Sequence, residues 1–84
     1  MPHVIVKLFT GRSEEQKARI SELVARAIME GAGSDEASVS VGIEEVEPSR
    51  WTEAVYGPDI QGRQDTLYRM PGYGPLAGTP LSRR

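Results

Sequence analysis

The sequence predicts an α/β fold: a βαβ subunit with parallel strands and a short C-terminal helix, completed by oligomerisation. Three observations carry this. His3 to Phe9 reads H-V-I-V-K-L-F, rich in β-branched and aromatic residues and free of turn formers, which is the composition of a strand. From Glu14 to about Glu30 the apolar residues Ile20, Leu23, Val24, Ala27 and Ile28 recur at steps of three and four, the period of an amphipathic helix. Ser38 to Val46 then returns to a period of two, with Val39, Val41 and Ile43 alternating with Ser40, Gly42 and Glu44, as in a second strand. A strand, a helix and a strand in succession form a crossover that leaves the strands parallel and the helix on one sheet face.

The ends of these elements have their own chemistry. Gly11 breaks the first strand, and Ser13-Glu14-Glu15-Gln16 has the S-x-x-Q spacing of a capping box, which starts the helix. Gly31 and Gly33 supply its stop, and residues 31–35 form a short connection. In the first strand Val4, Val6 and Leu8 share one face. His3, Ile5, Lys7 and Phe9 share the other, a mixture suited to half-cover by another layer or another subunit. After Pro48 the pattern weakens. Ser49 to Tyr56 reads as a short helix or turn ended by Gly57-Pro58, and Asp59 to Arg69 as a second helix before Pro71-Gly72. The expected organisation is a domain over residues 1–73 and a flexible C-terminal tail over 74–84, where two prolines and two glycines fall among few large apolar groups. Two strands are fewer than a stable sheet needs. A homo-oligomer (dimer, trimer or hexamer) is therefore expected, with any active site where subunits meet.

Composition narrows the function. Eighty-four residues carrying 10 Lys plus Arg against 12 Asp plus Glu give a net charge of −2, with the basic residues scattered and not gathered into the stripe of a nucleic-acid binder. The absence of cysteine rules out disulfides, thiolate metal sites and Cys nucleophiles, and a single histidine rules out a multi-His metal site within one chain. No apolar run approaches the ~20 residues of a membrane span. The start, MPHVIVKLF, lacks the layout of an export signal, so the chain reads as cytoplasmic.

The chemistry centres on Pro2. Removal of Met1 before this small residue leaves a secondary amine at the chain start, immediately ahead of a strand that fixes it. An α-amino group ordinarily titrates near ~7.7–8.0, and neighbouring guanidinium groups or apolar burial lower that value toward neutrality. An amine so tuned is a general base, or a nucleophile toward carbonyls.

Pro2 leading into HVIVKLF, the segment Gly11-Arg12-Ser13-Glu14-Glu15-Gln16-Lys17, and Ser38-Val39-Ser40-Val41 with Glu44-Glu45-Val46 resemble the 4-oxalocrotonate tautomerase family of the tautomerase superfamily. Glu47-Pro48-Ser49-Arg50-Trp51 and Arg69-Met70-Pro71-Gly72-Tyr73 are more similar to its phenylpyruvate-tautomerase-like branch. The resemblance covers about residues 2 to 73. It implies cofactor-free keto–enol tautomerisation of a small 2-keto acid or its dienol, with Pro2 as general base. It implies that Arg12 holds the substrate carboxylate, a role that suits a bidentate guanidinium whose charge also lowers the amine pKa. Trp51 matches the aromatic residue that makes the family site apolar. A second family arginine, which polarises the substrate carbonyl, falls at Ser40. There the expectation is that Ser40 donates a weaker hydrogen bond, that Arg50, Arg63 or Arg69 of this or a neighbouring subunit substitutes, or that the substrate differs.

Other polar residues read as structural. His3 should point to the strand face opposite its neighbour Pro2 and serve packing or an interface. Tyr56, Tyr68 and Tyr73 read as packing residues, and Glu44, Glu45 and Glu47 as a solvated strand edge. Two alternatives stay open: a superfamily hydratase, dehalogenase or decarboxylase of small unsaturated or keto acids, and a non-catalytic oligomeric module if Met1 is retained.

Overall fold

The computed structural model describes residues 1–81. The chain divides into two compact units, Met1–Pro48 and Ser49–Arg84.

The first unit is the βαβ element. Strand β1 spans His3–Phe9 and strand β2 spans Ser40–Val46. They pair in parallel and in step, from His3 opposite Ser40 to Phe9 opposite Val46. The ladder continues past both ends, through Ser40 N–H to the Pro2 carbonyl (3.2 Å) and Thr10 N–H to the Val46 carbonyl (3.2 Å). Between the strands lies helix α1, Glu14–Ala32. Its capping box is complete: Gln16 N–H donates to Ser13 Oγ (3.0 Å) and Ser13 N–H donates to Gln16 Oε1 (2.8 Å). Glu14 and Glu15 in the first turn complement the positive end of the helix dipole.

Two boundaries differ from expectation. The helix runs through Gly31 and stops at Gly33, whose φ of 69° is the left-handed conformation that ends helices. The second strand begins at Ser40, not Ser38, because residues Glu36–Ser38 form a 3₁₀ turn closed by Ser38 Oγ donating to the Asp35 carbonyl (2.9 Å). Serine and aspartate at this spacing favour such local bonds over the sheet ladder.

In this register Val4, Val6 and Leu8 share a face with Val41, Ile43 and Glu45. Helix α1 packs over that face, where Lys17, Ala18 and Ser21 border a groove with Val41 and Ile43. The opposite face carries His3, Ile5, Lys7 and Phe9 beside Ser40, Gly42, Glu44 and Val46. It is open in a single copy, with Ile5 52% and Phe9 42% exposed. Among the described residues of this unit none is fully buried.

The second unit follows a 3₁₀ turn at Pro48–Arg50. The expected stop at Gly57-Pro58 does not occur. A π-helix runs over Thr52–Ile60 straight through Pro58 and passes into a 3₁₀ helix, Gln61–Thr66, which breaks at Arg63 (φ −137°, ψ 43°). Proline lacks an N–H and its ring strikes the carbonyl of the preceding α-helical turn. The wider π turn eases that crowding, as such insertions do elsewhere in helices. The expected second helix over residues 59–69 is accordingly shorter and tighter.

Val55 and Tyr56, on the π-helix, are the buried pair of the described chain, at 5% and 3% exposure. The Tyr56 hydroxyl donates to the Tyr73 carbonyl (2.7 Å) and accepts from Leu76 N–H (3.0 Å). Its ring meets Tyr73 edge-on at 5.1 Å. Gly74 lies against that ring with φ 70°, where a Cβ would come within 2.8 Å of Tyr56. Turns closed by Ala77 N–H to the Gly74 carbonyl and Thr79 N–H to the Leu76 carbonyl follow. The expected tail begins in these turns, and its last residues, 82–84, lie outside the described residues.

Candidate active site

Pro2 stands at the start of the parallel ladder. Its carbonyl accepts Ser40 N–H at 3.2 Å, so the backbone at the chain start is tied to β2 and not left on a free leader. Met1 is fully exposed. While Met1 is attached, the Pro2 nitrogen is an amide without basicity; its removal exposes the amine.

Beside Pro2, the register places Ser40 opposite His3. The Ser40 hydroxyl and His3 Nδ1 share a hydrogen bond of 2.7 Å, on the sheet face that α1 does not cover. His3 is thus the immediate partner of Ser40, the residue that stands where the resemblance places an arginine. Neither strand's local pattern reveals this pairing, because the two residues are 37 positions apart. It follows only from the register.

Arg12 lies at the other end of β1. Its Nη1 donates to the Phe9 carbonyl at 3.1 Å, closing one of the strand's last carbonyls. The guanidinium borders an open groove of about 410 Å³ that it shares with Ser13, Glu15, Gln16, Arg19 and Ile20. At ~3.3 Å per strand residue, the run from Pro2 to Phe9 spans about 23 Å. One copy therefore brings Pro2 and Ser40 together and holds Arg12 a strand-length away.

The turn that carries Arg12 is braced by Glu45. This residue, expected on a solvated strand edge, accepts Lys17 Nζ at 3.0 Å, and both side chains are largely covered, at 29% and 18% exposure. Its carboxyl is held below the usual range, first by the hydrogen bond from Lys17 and also by Lys17's charge, the Gly11 N–H and the charge of Arg12. Lys17 is raised above its usual value by its bonds to Glu14 (2.8 Å) and Glu45. The strand-edge expectation is corrected at this one position: Glu45 points to the helix-covered face, in register with Leu8.

In the second unit, Trp51 Nε1 donates to the Tyr73 hydroxyl at 2.8 Å. The indole is partly covered. Tyr73 thereby joins Trp51 to the Tyr56 cluster, a role beyond simple packing. Arg50 pairs loosely with Glu53 at 3.5 Å on the surface. Among the described residues, no group of three or more acidic or histidine side chains could hold a metal, and no helix is long and apolar enough to cross a membrane.

A parallel two-stranded βαβ unit with a proline before its first strand and an arginine just after it is the layout of a tautomerase subunit. The family model described as "Tautomerase enzyme" matches residues 2–57. The chain belongs to the tautomerase family, in its 4-oxalocrotonate tautomerase branch, and is an enzyme of the isomerase class that this family comprises. It is 42% identical over 80 residues to a probable tautomerase of Xylella fastidiosa, covering 95% of this chain and 98% of that one. It is 43% identical over 74 residues to Tautomerase PptA of Pectobacterium carotovorum, covering 87% and 97%. A solved 4-oxalocrotonate tautomerase isozyme from Methylibium petroleiphilum shares 38% identity and superposes with a TM-score of 0.58, over 60% of this chain and 81% of that one.

Proposed function

We propose that the protein is a cofactor-independent keto–enol tautomerase of small 2-keto acids or their dienols, carried by residues 1–73, with the Pro2 amine as general base once Met1 is removed. In ketonisation the enol O–H bond and the C=C π bond break, and the C=O π bond and a C–H bond on the neighbouring carbon form. The neutral amine takes the proton from oxygen, and its ammonium form gives one to carbon, so the enzyme returns to its starting state and nothing is consumed. Ser40, beside Pro2, donates a hydrogen bond to the substrate oxygen. Arg12 grips the carboxylate, and Trp51 supplies an apolar wall.

The observation that carries this reading is the bond from Ser40 N–H to the Pro2 carbonyl, which fixes the future amine at a sheet end and sets a hydroxyl-bearing residue beside it. The strand-length gap between Pro2 and Arg12 adds a requirement. A small keto acid cannot bridge about 23 Å, so Arg12 reaches the site from a neighbouring copy, and the enzyme is a homo-oligomer. The open face with Ile5 and Phe9, and the lack of a buried residue in the first unit, supply the apolar surface for that assembly. The test follows the ultraviolet loss of the enol of phenylpyruvate and of 2-hydroxymuconate by the processed protein. Pro2→Ala should lower the rate ~10²–10⁴-fold, and an unchanged rate refutes the base assignment.

A second reading rests on Met1, which stands in the chain ahead of Pro2. If it is retained, the nitrogen has no lone pair to offer and the protein is a non-catalytic oligomeric module. The intact mass of the purified protein decides between the two.

A further inference from the structure

We infer that Tyr73 is a positioning residue that sets the orientation of the Trp51 indole, so that the flat face of this side chain is offered to the apolar part of the substrate. The inference rests on the proposed function, in which Trp51 supplies an apolar wall. It starts from the bond of 2.8 Å that Trp51 Nε1–H donates to the Tyr73 hydroxyl. An indole has this one N–H and no acceptor, and its ring turns about a torsion whose preferences are broad and roughly two-fold. The backbone of Trp51 is helical (φ −59°, ψ −45°) and opens the π-helix, which restricts the first side-chain torsion but leaves that of the ring unset. An acceptor fixed on one side of the ring therefore selects one orientation of the two.

Tyr73 serves as that fixed acceptor because its own position is set by a buried residue. Tyr56, at 3% exposure, donates its hydroxyl proton to the Tyr73 carbonyl at 2.7 Å and accepts Leu76 N–H at 3.0 Å. One phenol oxygen thus ties down the backbone on both sides of Gly74. The Tyr56 ring also meets the Tyr73 ring edge-on at 5.1 Å. Between the two tied residues the chain turns at Gly74, whose φ of 70° and lack of a Cβ let it pass the Tyr56 ring. Order is handed from the buried ring of Tyr56 to the backbone of Tyr73, and from the Tyr73 hydroxyl to an indole 22 positions earlier in the chain. Residues 74–76, expected to belong to a loose tail, are part of this fastening.

Tyr73→Phe removes the acceptor but keeps the ring and the carbonyl that Tyr56 holds, so the fold should stay intact. Because the chain has a single tryptophan, one indole N–H signal in ¹H–¹⁵N spectra reports on Trp51 directly. In the parent that proton should lie downfield, as a hydrogen-bonded donor does, and exchange slowly with water. In Tyr73→Phe it should move upfield and exchange faster. The KM for the enol of phenylpyruvate should rise about three- to tenfold with kcat nearly unchanged, since a wall that touches ground and transition state alike contributes uniform binding. The KM for 2-hydroxymuconate, which has no ring to lay against the indole, should stay within about twofold of the parent value. That contrast separates positioning from a general loss of structure, which would weaken both. In Trp51→Phe, which has no N–H to place, adding Tyr73→Phe should change nothing further. An indole signal indifferent to Tyr73→Phe, an unchanged KM for phenylpyruvate, equal rises for the two substrates, or additive effects of the two substitutions overturns the inference. The base assignment fails separately, through full activity of Pro2→Ala, whatever the indole signal shows.

Discussion

The two units of the chain reach order by opposite routes. Residues 1–48 are built from regular elements: seven paired rungs of parallel strand, a fully capped helix and a left-handed glycine stop. Even so, none of their described residues is fully buried. The described residues after 48 have hardly a regular turn, passing from 3₁₀ to π and back, and they hold the buried Val55 and Tyr56. Regular hydrogen bonding satisfies the backbone but does not by itself hide apolar surface, whereas one well-placed aromatic residue can organise an irregular segment. The first unit in a single copy leaves an apolar face open, and the second holds the buried pair.

The sharpest way to break this contrast is at Tyr56. Tyr56→Ala removes a ring at 3% exposure and should cost about 3–5 kcal/mol in urea unfolding. Tyr56→Phe keeps the ring but leaves the Tyr73 carbonyl and Leu76 N–H unpaired, which should cost about 1–3 kcal/mol. Equal stability of Tyr56→Phe and the parent would mean that ring packing alone orders the segment.

In the first unit the next effect is functional. Arg12→Ala should raise KM by roughly one to two decades, since a hydrogen bond to a charged group contributes ~1.5–3 kcal/mol, with kcat less affected. An analogue lacking the carboxylate should be turned over about equally by both proteins. An unchanged KM would leave Arg12 as no more than a cap on the Phe9 carbonyl. The helix start is worth less: Ser13→Ala should destabilise by ~1 kcal/mol, a fall in Tm of about 4–8 °C for a chain of this size.

The smallest effect is the brace between Lys17 and Glu45. Because Glu45 is held below the usual carboxylate value, its contribution is complete above about pH 4.5 and is lost as pH falls through the lowered folded value. Because Lys17 is raised above 10.5, its share is complete below that pH and is lost as pH rises through the raised value. Glu45→Gln should therefore flatten the acid limb of the stability profile, and it should weaken the alkaline one. A profile with the same acid limb would show that the carboxylate gains nothing from the pair.

The same contrast explains what could be read before the fold was seen. Strand β1 and the start of α1 are local: β-branched alternation and an S-x-x-Q box act within a few residues, and His3–Phe9 and Ser13 fall where they were expected. The path through Pro58 was not legible, because the rule that proline ends a helix assumes an α-helix, and the backbone here opens to a wider turn. Nor was the bond between His3 and Ser40, or that between Lys17 and Glu45, since each joins residues far apart in sequence. Of the candidate site, Pro2 is legible from its place between Met1 and the first strand, whereas Arg12, Ser40 and Trp51 come from motif likeness. What the motif does not contain is distance: nothing in G-R-S-E-E-Q-K says that Arg12 is bonded at the far end of β1.

That distance has a genetic consequence. If every working site draws its amine from one chain and its guanidinium from another, two defective proteins can repair each other. A preparation of Pro2→Ala, mixed with Arg12→Ala under conditions that let copies exchange, would place an intact amine against an intact guanidinium in about one site in four, for random assortment of equal amounts. Each parent preparation alone would have none. The reverse holds for a chain defective at both residues and mixed with sound ones: each such chain spoils the site it leads and the site it lends to, so the loss of activity exceeds the fraction of bad chains.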